Sequence, residues 1–156
     1  MTAGGSSIPE VRRLLAVLAA GRRAAELGTA FGEGAAAIAS TAASLVTVEI
    51  DAARANRARE RLARLRNVEQ LVGDWRLLLP PRGPYDLVFA DSGDSKTDEA
   101  VARLVAPGGL VVMDDLTPGR PPPDPVRDFW LSRSDFTATE ILTTVRTAAL
   151  IAARRR

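Results

Sequence analysis

The sequence between residues 25 and 34 is Ala25-Glu26-Leu27-Gly28-Thr29-Ala30-Phe31-Gly32-Glu33-Gly34. The short apolar run at residues 24–27 predicts a buried strand, and the Ala-rich run at residues 33–41 predicts a helix. Glycine lets the backbone close tightly between such elements and lets a ligand approach atoms that a side chain would cover. The spacing Gly-x-x-x-Gly-x-Gly differs from the dinucleotide fingerprint and from the Gly-Lys-Ser/Thr phosphate loop. By itself, the pattern also suits a plain strand-to-helix turn.

The alternation of strands and helices continues on both sides of this turn. Further strands are predicted at residues 45–49, 68–72, 87–90 and 110–113, and helices at residues 8–20, 51–65 and 96–104. This order favours a parallel sheet with helices on both faces. Two last strands, at residues 136–141 and 148–152, are joined by a connection too short for a crossover helix. We therefore expect them to pair antiparallel.

Composition narrows the chemistry that the chain can perform. The 156 residues contain no Cys and no His, which excludes disulfides, thiol nucleophiles and an imidazole base. Acid–base chemistry must come from carboxylates, from Lys96, from Tyr85 or from a metal-bound water. The length predicts one domain, residues 1–156, with a flexible N-terminus at residues 1–7. Because no apolar run approaches the roughly 20 residues of a membrane span, we expect a cytoplasmic protein without membrane contact.

Acidic residues follow the predicted strands at the positions where an open α/β sheet binds its ligands. Glu49 ends the second strand, where a carboxylate can accept both hydroxyls of a ribose. After the third strand, Asp74 could hold an adenine amino group, and Trp75 could stack on the adenine ring. Asp91 ends the fourth strand. Acids at helix N-termini are also common caps, so it is their combination that indicates a site.

Five motifs now follow one another in the order of a known family: Glu26-Leu27-Gly28-Thr29 with Gly32; Val48-Glu49-Ile50-Asp51; Val72-Gly73-Asp74; Tyr85-Asp86-Leu87-Val88-Phe89-Ala90-Asp91; and Pro107-Gly108-Gly109-Leu110-Val111-Val112-Met113-Asp114-Asp115. The chain resembles the class I, Rossmann-like S-adenosylmethionine-dependent methyltransferases, and most closely their catechol-type O-methyltransferase branch. The resemblance covers residues 8–152. It implies an α/β fold with a seven-stranded, mostly parallel sheet of order 3-2-1-4-5-7-6, in which strand 7 is antiparallel.

The resemblance also implies S-adenosylmethionine as cofactor and assigns residues to it. Glu26, Gly28 and Gly32 would cradle the methionine part, Glu49 the ribose, and Asp74 with Trp75 the adenine. The complete predicted cofactor set is Glu26, Gly28, Thr29, Gly32, Gly34, Glu49, Ile50, Gly73, Asp74, Trp75 and Asp91.

In the catechol-type branch a divalent metal lowers the pKa of a bound phenol hydroxyl, and here Asp91, Asp114 and Asp115 occupy the metal positions. The resemblance thus implies Mg²⁺ or another divalent cation at these three residues, with Asp91 and Lys96 as catalytic residues. The branch has Asn where Asp115 stands. Its lysine usually lies three residues after the first Asp, whereas Lys96 lies five after, so that a bulge at residues 92–95 is needed for Lys96 to reach the acceptor.

The resemblance predicts O-methylation of a small phenolic acceptor and leaves a homodimer open. Six arginines on or beside the helix at residues 51–66 could form an RNA-facing stripe, but the solvated face of an amphipathic helix explains them better and needs no function: Arg54, Arg57, Arg59, Arg61, Arg64 and Arg66. A nucleic-acid or other large substrate is therefore an alternative that we do not favour. Two further alternatives are a nicotinamide-binding protein and a catalytically silent cofactor-binding subunit.

Overall fold

The computed structural model describes residues 7–156, so most of the flexible N-terminus predicted at residues 1–7 lies outside the described residues. The strands are β1 (Arg23–Leu27), β2 (Ser44–Glu49), β3 (Val68–Val72), β4 (Tyr85–Ala90), β5 (Val105–Leu116), β6 (Phe136–Leu142) and β7 (Ala148–Arg154). The helices are α1 (Pro9–Ala19), α2 (Glu33–Ala39), α3 (Ala52–Leu62), α4 (Trp75–Leu78), α5 (Glu99–Leu104) and α6 (Pro125–Leu131), with a 3-10 turn at Pro80–Arg82.

The seven strands form one sheet of order β3-β2-β1-β4-β5-β7-β6, as the sequence predicts. Strands β3, β2, β1, β4 and β5 pair in parallel, and β7 runs antiparallel to both β5 and β6. The parallel strands β1, β2, β4 and β5 therefore end at one edge of the sheet, together with β3. That edge carries the glycine turn and the acidic residues.

Each face of the sheet packs against its own apolar layer. On one face α1, α2 and α3 bury residues such as Leu15, Ile38 and Leu62 against the strands. On the other face, Trp75, Leu104 and Trp130 belong to a second cluster with the helices α4, α5 and α6. Central strands that are covered on both sides explain the nearly continuous apolar runs in the sequence.

Several boundaries differ from the sequence prediction, and side-chain caps explain two of them. Helix α3 begins after Asp51, whose Oδ1 accepts the backbone N–H groups of Ala53 and Arg54 at 2.8 and 2.9 Å. Helix α5 begins after Asp98, which caps Ala100 N at 2.8 Å, so Lys96 lies in the preceding loop and not in the helix as predicted. The short helix α4 and the 3-10 turn were not predicted, because so few residues carry no periodicity. Within residues 7–156, no helix is long and apolar enough to cross a bilayer.

Candidate active site

The glycine turn after β1 is held close to the ends of two neighbouring strands. The backbone N–H groups of Gly28 and Thr29 both donate to Val48 O, at 2.9 and 3.2 Å. Gly28 has a φ of +101°, and a Cβ there would lie 3.3 Å from the backbone nitrogen of Ser92, in the loop after β4. A larger residue at position 28 would therefore be strained and would crowd the loop that follows Asp91.

Glu49 fastens the same turn from the end of β2. Its side chain is 4% exposed. Oε2 accepts the backbone N–H of Ala30 at 2.9 Å, and Oε1 accepts that of Asp51 at 3.0 Å. Ala30 itself has a φ of +46°, a conformation that is unfavourable for a residue with a Cβ and that the carboxylate helps to hold. Glu49 thus has a structural function in addition to any contact with a ligand.

A cavity of about 150 Å³ lies at this edge of the sheet. Six predicted cofactor residues line it: Gly28, Glu49, Ile50, Gly73, Asp74 and Trp75. Four residues outside the predicted site set complete the lining: Val48, Arg76, Ser92 and Asp94. They lie next to or near predicted site residues along the chain, and Val48 belongs to the second motif, but the sequence assigned none of them to the site. The structure therefore gathers more than half of the predicted cofactor set around one cavity.

Trp75 lies in the cavity wall with Arg76 over its ring. The guanidinium carbon of Arg76 is 4.6 Å from the ring centroid, and Arg76 also forms ion pairs with Asp94 at 3.0 Å and Asp98 at 2.8 Å. The indole nitrogen of Trp75 is buried and has no hydrogen-bond partner among residues 7–156. The guanidinium of Arg76 thus covers one face of the indole. Stacking of an adenine on Trp75 stays a prediction, and the adenine would have to contact the ring surface that Arg76 leaves open.

Glu26 and Thr29, two further residues of the predicted cofactor set, do not line the cavity. Thr47 Oγ1 donates to Glu26 Oε2 at 2.6 Å, and the hydroxyls of Thr47 and Thr29 are also 2.6 Å apart. Burial raises the pKa of Glu26 to about 8, against the opposing effect of the Thr47 hydrogen bond. Gly34, at the start of α2, packs on this carboxylate, because a Cβ there would lie 2.4 Å from Glu26 Oε1. These contacts connect β1, β2 and the start of α2 next to the glycine turn.

Asp91, Asp114 and Asp115 come together next to the cavity, as the resemblance implied. Each offers a carboxylate oxygen, and these oxygens lie within 4.8 Å of one another. Asp114 is 1% exposed, and neither of its carboxylate oxygens has a hydrogen-bond partner among the described residues. Burial and the neighbouring Asp114 raise the pKa of Asp91 to about 9, and burial with the nearby Asp115 raises the pKa of Asp114.

This carboxylate cluster fits a hard divalent cation. All the candidate ligand atoms are oxygens, which Mg²⁺ and Mn²⁺ prefer, and the carboxylate oxygens of Asp114 accept no hydrogen bond among the described residues. A cation held by Asp91, Asp114 and Asp115 would offset their mutual repulsion.

Lys96 reaches the cluster despite its shifted position in the sequence. Its Nζ donates to the backbone oxygen of Asp114 at 2.7 Å and lies 3.8 Å from Asp114 Oδ1. The loop turns at residues 92–95, where Ser95 N and Ser95 Oγ both donate to Ser92 O, at 3.0 and 2.7 Å. The turn shortens the path along residues 92–95 and brings the only lysine of the chain beside the carboxylates.

Part of the arginine stripe on α3 packs on the glycine turn. Arg61 Nε donates to Phe31 O at 3.2 Å, and its guanidinium lies 3.5 Å from Glu33. The guanidinium of Arg57 lies 6.0 Å from the centre of the Phe31 ring. These contacts give two of the six arginines a structural function, and a nucleic-acid partner stays an unfavoured alternative.

The fold and this site together define a class I S-adenosylmethionine-dependent methyltransferase. The chain belongs to the protein-L-isoaspartate(D-aspartate) O-methyltransferase family, whose sequence model matches residues 7–115. The class predicted from the sequence is confirmed. The catechol-type branch that the motifs indicated is wrong, because the family whose model matches is a different O-methyltransferase family.

Individual relatives agree with this class. The chain is 36% identical over 100 residues to the protein-L-isoaspartate O-methyltransferase of Methylorubrum populi, a match that covers 64% of this chain and 47% of the relative. The corresponding protein of Methanoculleus marisnigri is 37% identical over 103 residues, covering 60% and 47%. The chain thus spans about half the length of the curated relatives it matches. The O-methyltransferase TomG of Streptomyces achromogenes, involved in tomaymycin synthesis and solved in complex with SAM, is 30% identical, with a TM-score of 0.76 over 100% of this chain and 84% of TomG.

Proposed function

We propose that this chain transfers the methyl group of S-adenosylmethionine to an oxygen atom of an acceptor. One observation carries the proposal: the glycine turn, Glu49 and Asp74 surround a single cavity whose wall continues, through Ser92, into the carboxylate cluster. In this proposal the cofactor site and the acceptor site are contiguous. When bound, S-adenosylmethionine supplies a methyl group already activated by its sulfonium, so the protein has mainly to align a nucleophile with it.

The residues around the cavity bind and orient the cofactor in this proposal. The glycine turn lets the backbone approach it, Glu49 accepts from the ribose, and Asp74 accepts from the adenine. Asp74 uses Oδ1 to cap Arg76 N at 2.9 Å, which leaves its second oxygen for a ligand. Burial raises the pKa values of Glu26 and Asp91, so both carboxyls are largely protonated near pH 7, and a nearby positive charge such as the sulfonium would lower both pKa values.

For the acceptor, the names of the relatives favour the carboxyl group of an isoaspartyl or D-aspartyl residue in a protein. Lys96 would then hold the acceptor oxygen, because its ammonium lies beside the carboxylate cluster, 3.8 Å from Asp114 Oδ1. An ionised acceptor that approaches Asp91 and Asp114 needs such a positive charge.

A small phenolic hydroxyl is the second candidate acceptor, and the carboxylate cluster favours it. A neutral hydroxyl meets no repulsion from three carboxylates, and the cluster also fits a divalent cation. A cation bound by Asp91, Asp114 and Asp115 would lower the pKa of a coordinated hydroxyl. In this case a carboxylate of the cluster would accept the hydroxyl proton. The cytoplasmic location, the homodimer and the extent of the domain over residues 1–156 stay predictions.

A methyl-transfer assay tests the proposal and separates the two acceptors. The protein is incubated with tritium-labelled S-adenosylmethionine and with an isoaspartyl peptide, the matching aspartyl peptide, or catechol, with and without Mg²⁺. Labelling of the isoaspartyl but not the aspartyl peptide supports the first acceptor, and Mg²⁺-dependent labelling of catechol supports the second. Binding of S-adenosylhomocysteine without any transfer would favour the silent subunit and overturn the enzymatic proposal.

A further inference from the structure

The loop that carries Lys96 is held from two directions. On one side, Lys96 Nζ donates to the backbone oxygen of Asp114 in β5. On the other side, the backbone oxygen of Lys96 accepts the indole N–H of Trp130 at 2.7 Å. Trp130 belongs to α6, which lies 34 residues further along the chain. The same residue is thus fixed at its backbone by α6 and at its side chain by β5.

Trp130 is itself immobilised by its neighbours. Its side chain is fully buried, and its ring makes edge-to-face contacts with Phe129, at 5.1 Å between centroids, and with Phe136, at 5.2 Å. Such pairs favour one ring orientation. The indole N–H therefore points in a fixed direction, toward the carbonyl of Lys96.

Arg133 closes this aromatic cluster and connects it to α5. Its guanidinium lies 5.0 to 5.8 Å from the centres of all three rings. It also pairs with Glu99 at 2.6 Å, in the first turn of α5 and three residues after Lys96. The loop between β4 and α5 is consequently tied to the aromatic cluster at Lys96 and again at Glu99.

We propose that Trp130 is a positioning residue for Lys96. Its indole N–H holds the backbone of the loop in the position from which the Lys96 side chain reaches Asp114. This inference rests on the proposed function, in which Lys96 acts at the acceptor oxygen. It also explains how a lysine shifted by two residues from its expected position still reaches the carboxylate cluster. A lost N–H would release the loop backbone while the aromatic packing largely remains.

The test is the variant Trp130→Phe, which keeps an aromatic ring and removes the donor. Because Lys96 is the only lysine, ¹³C-lysine labelling gives one Cε signal in the NMR spectrum of the full chain. We expect this signal to move toward the position of free lysine, or to split, in Trp130→Phe. The matched control is Phe129→Leu, which alters the same cluster without touching the hydrogen bond and should leave the signal in place. An unmoved signal in Trp130→Phe, or an equal shift in the control, would overturn the proposal.

A second measurement needs no variant and covers the case in which Trp130→Phe does not fold. The chain has two tryptophans, and both indole nitrogens are buried, but only that of Trp130 has a hydrogen-bond acceptor among the described residues. The indole hydrogen of Trp130 should exchange with deuterated water more slowly than that of Trp75. Equal or faster exchange at Trp130 would contradict the hydrogen bond from its indole N–H to the carbonyl of Lys96.

Activity distinguishes this inference from the proposed function. If an acceptor is methylated, Trp130→Phe should lower kcat at least fivefold and leave KM for S-adenosylmethionine within twofold, since the cofactor cavity is untouched. An unchanged kcat, or a rise in KM alone, would overturn the positioning role. If no acceptor is methylated while the Lys96 signal responds as expected, the enzymatic proposal fails, but the hydrogen bond from Trp130 still positions Lys96.

Discussion

Replacing Glu26 by Gln should make the stability of the protein less dependent on pH. The carboxyl group of Glu26 is buried, and its pKa rises from 4.5 to about 8 on folding. Between these values the folded chain holds about one proton more than the unfolded chain does. The free energy of unfolding therefore decreases as pH rises, by up to about 1.4 kcal/mol per pH unit from this group alone. Its contribution is fully present below pH 4.5 and is lost by the time the pH passes 8.

From pH 5 to pH 7.5 this linkage amounts to about 3 kcal/mol. Glutamine has the shape of glutamic acid and can still accept the hydroxyl of Thr47, but it does not titrate in this range. We expect the parent to lose about 3 kcal/mol more than Glu26→Gln between the two pH values. The pKa of Asp91 is raised mainly by burial and by Asp114, causes that are present in both proteins, so most of its contribution cancels in the comparison.

The assay is urea unfolding of the ligand-free protein, followed by circular dichroism at half-unit steps of pH. The control is Glu60→Gln, which replaces an exposed carboxyl on α3 and should give the parent profile. Parallel profiles for the parent and Glu26→Gln would refute the reasoning, because they would mean that Glu26 binds its proton equally in the folded and unfolded chains.

Three further substitutions test other parts of the site. Glu49→Ala should weaken S-adenosylhomocysteine binding at least about tenfold by calorimetry, because the variant loses a cavity carboxylate and the anchor of Ala30; an unchanged affinity would remove Glu49 from the site. Gly34→Ala should destabilise the fold by about 1–3 kcal/mol in urea unfolding, since the clash with Glu26 outweighs the helix preference of alanine. The control is Gly93→Ala, which has open space around it. Equal stabilities of the two variants would contradict the close packing of Gly34 on Glu26. Asp114→Asn should weaken Mn²⁺ binding at least about tenfold in an EPR titration, and Mn²⁺ affinity equal to that of the parent would exclude the carboxylate cluster as a cation site.

The sheet and the lining of the cavity could be predicted because both follow from local sequence signals. Buried parallel strands read as short β-branched or Ala-rich runs, and their carboxyl ends must meet at one edge. Glu49 and Asp74, each placed directly after such a run, therefore had to converge. The order of strands followed from the resemblance together with the short connection between β6 and β7.

Features that depend on contacts between distant segments could not be predicted in the same way. Arg76 covers Trp75 because Asp94 and Asp98, in another loop, hold its guanidinium. The hydrogen bond from Trp130 to Lys96 joins residues 34 positions apart, and no periodicity indicates it. Glu26 lies between apolar residues in β1, which indicates burial, but its partner Thr47 is identified only by the pairing of β1 with β2.

The sequence motifs also could not identify the methyl acceptor. The family model ends at residue 115, immediately after the carboxylate cluster, and the chain beyond it contributes α6, β6 and β7. The motifs used in the sequence analysis are specific for the class and less so for the branch, so the class was predicted correctly while the branch was not.

Calorimetric titration of the purified chain with S-adenosylhomocysteine is the most direct test of a cofactor cavity built from the glycine turn, Glu49 and Asp74. The account predicts saturable binding at one site per chain, which is strongly weakened in Glu49→Ala and retained in Glu69→Ala. The absence of binding at millimolar concentration, or equal affinity in the parent and Glu49→Ala, would contradict it.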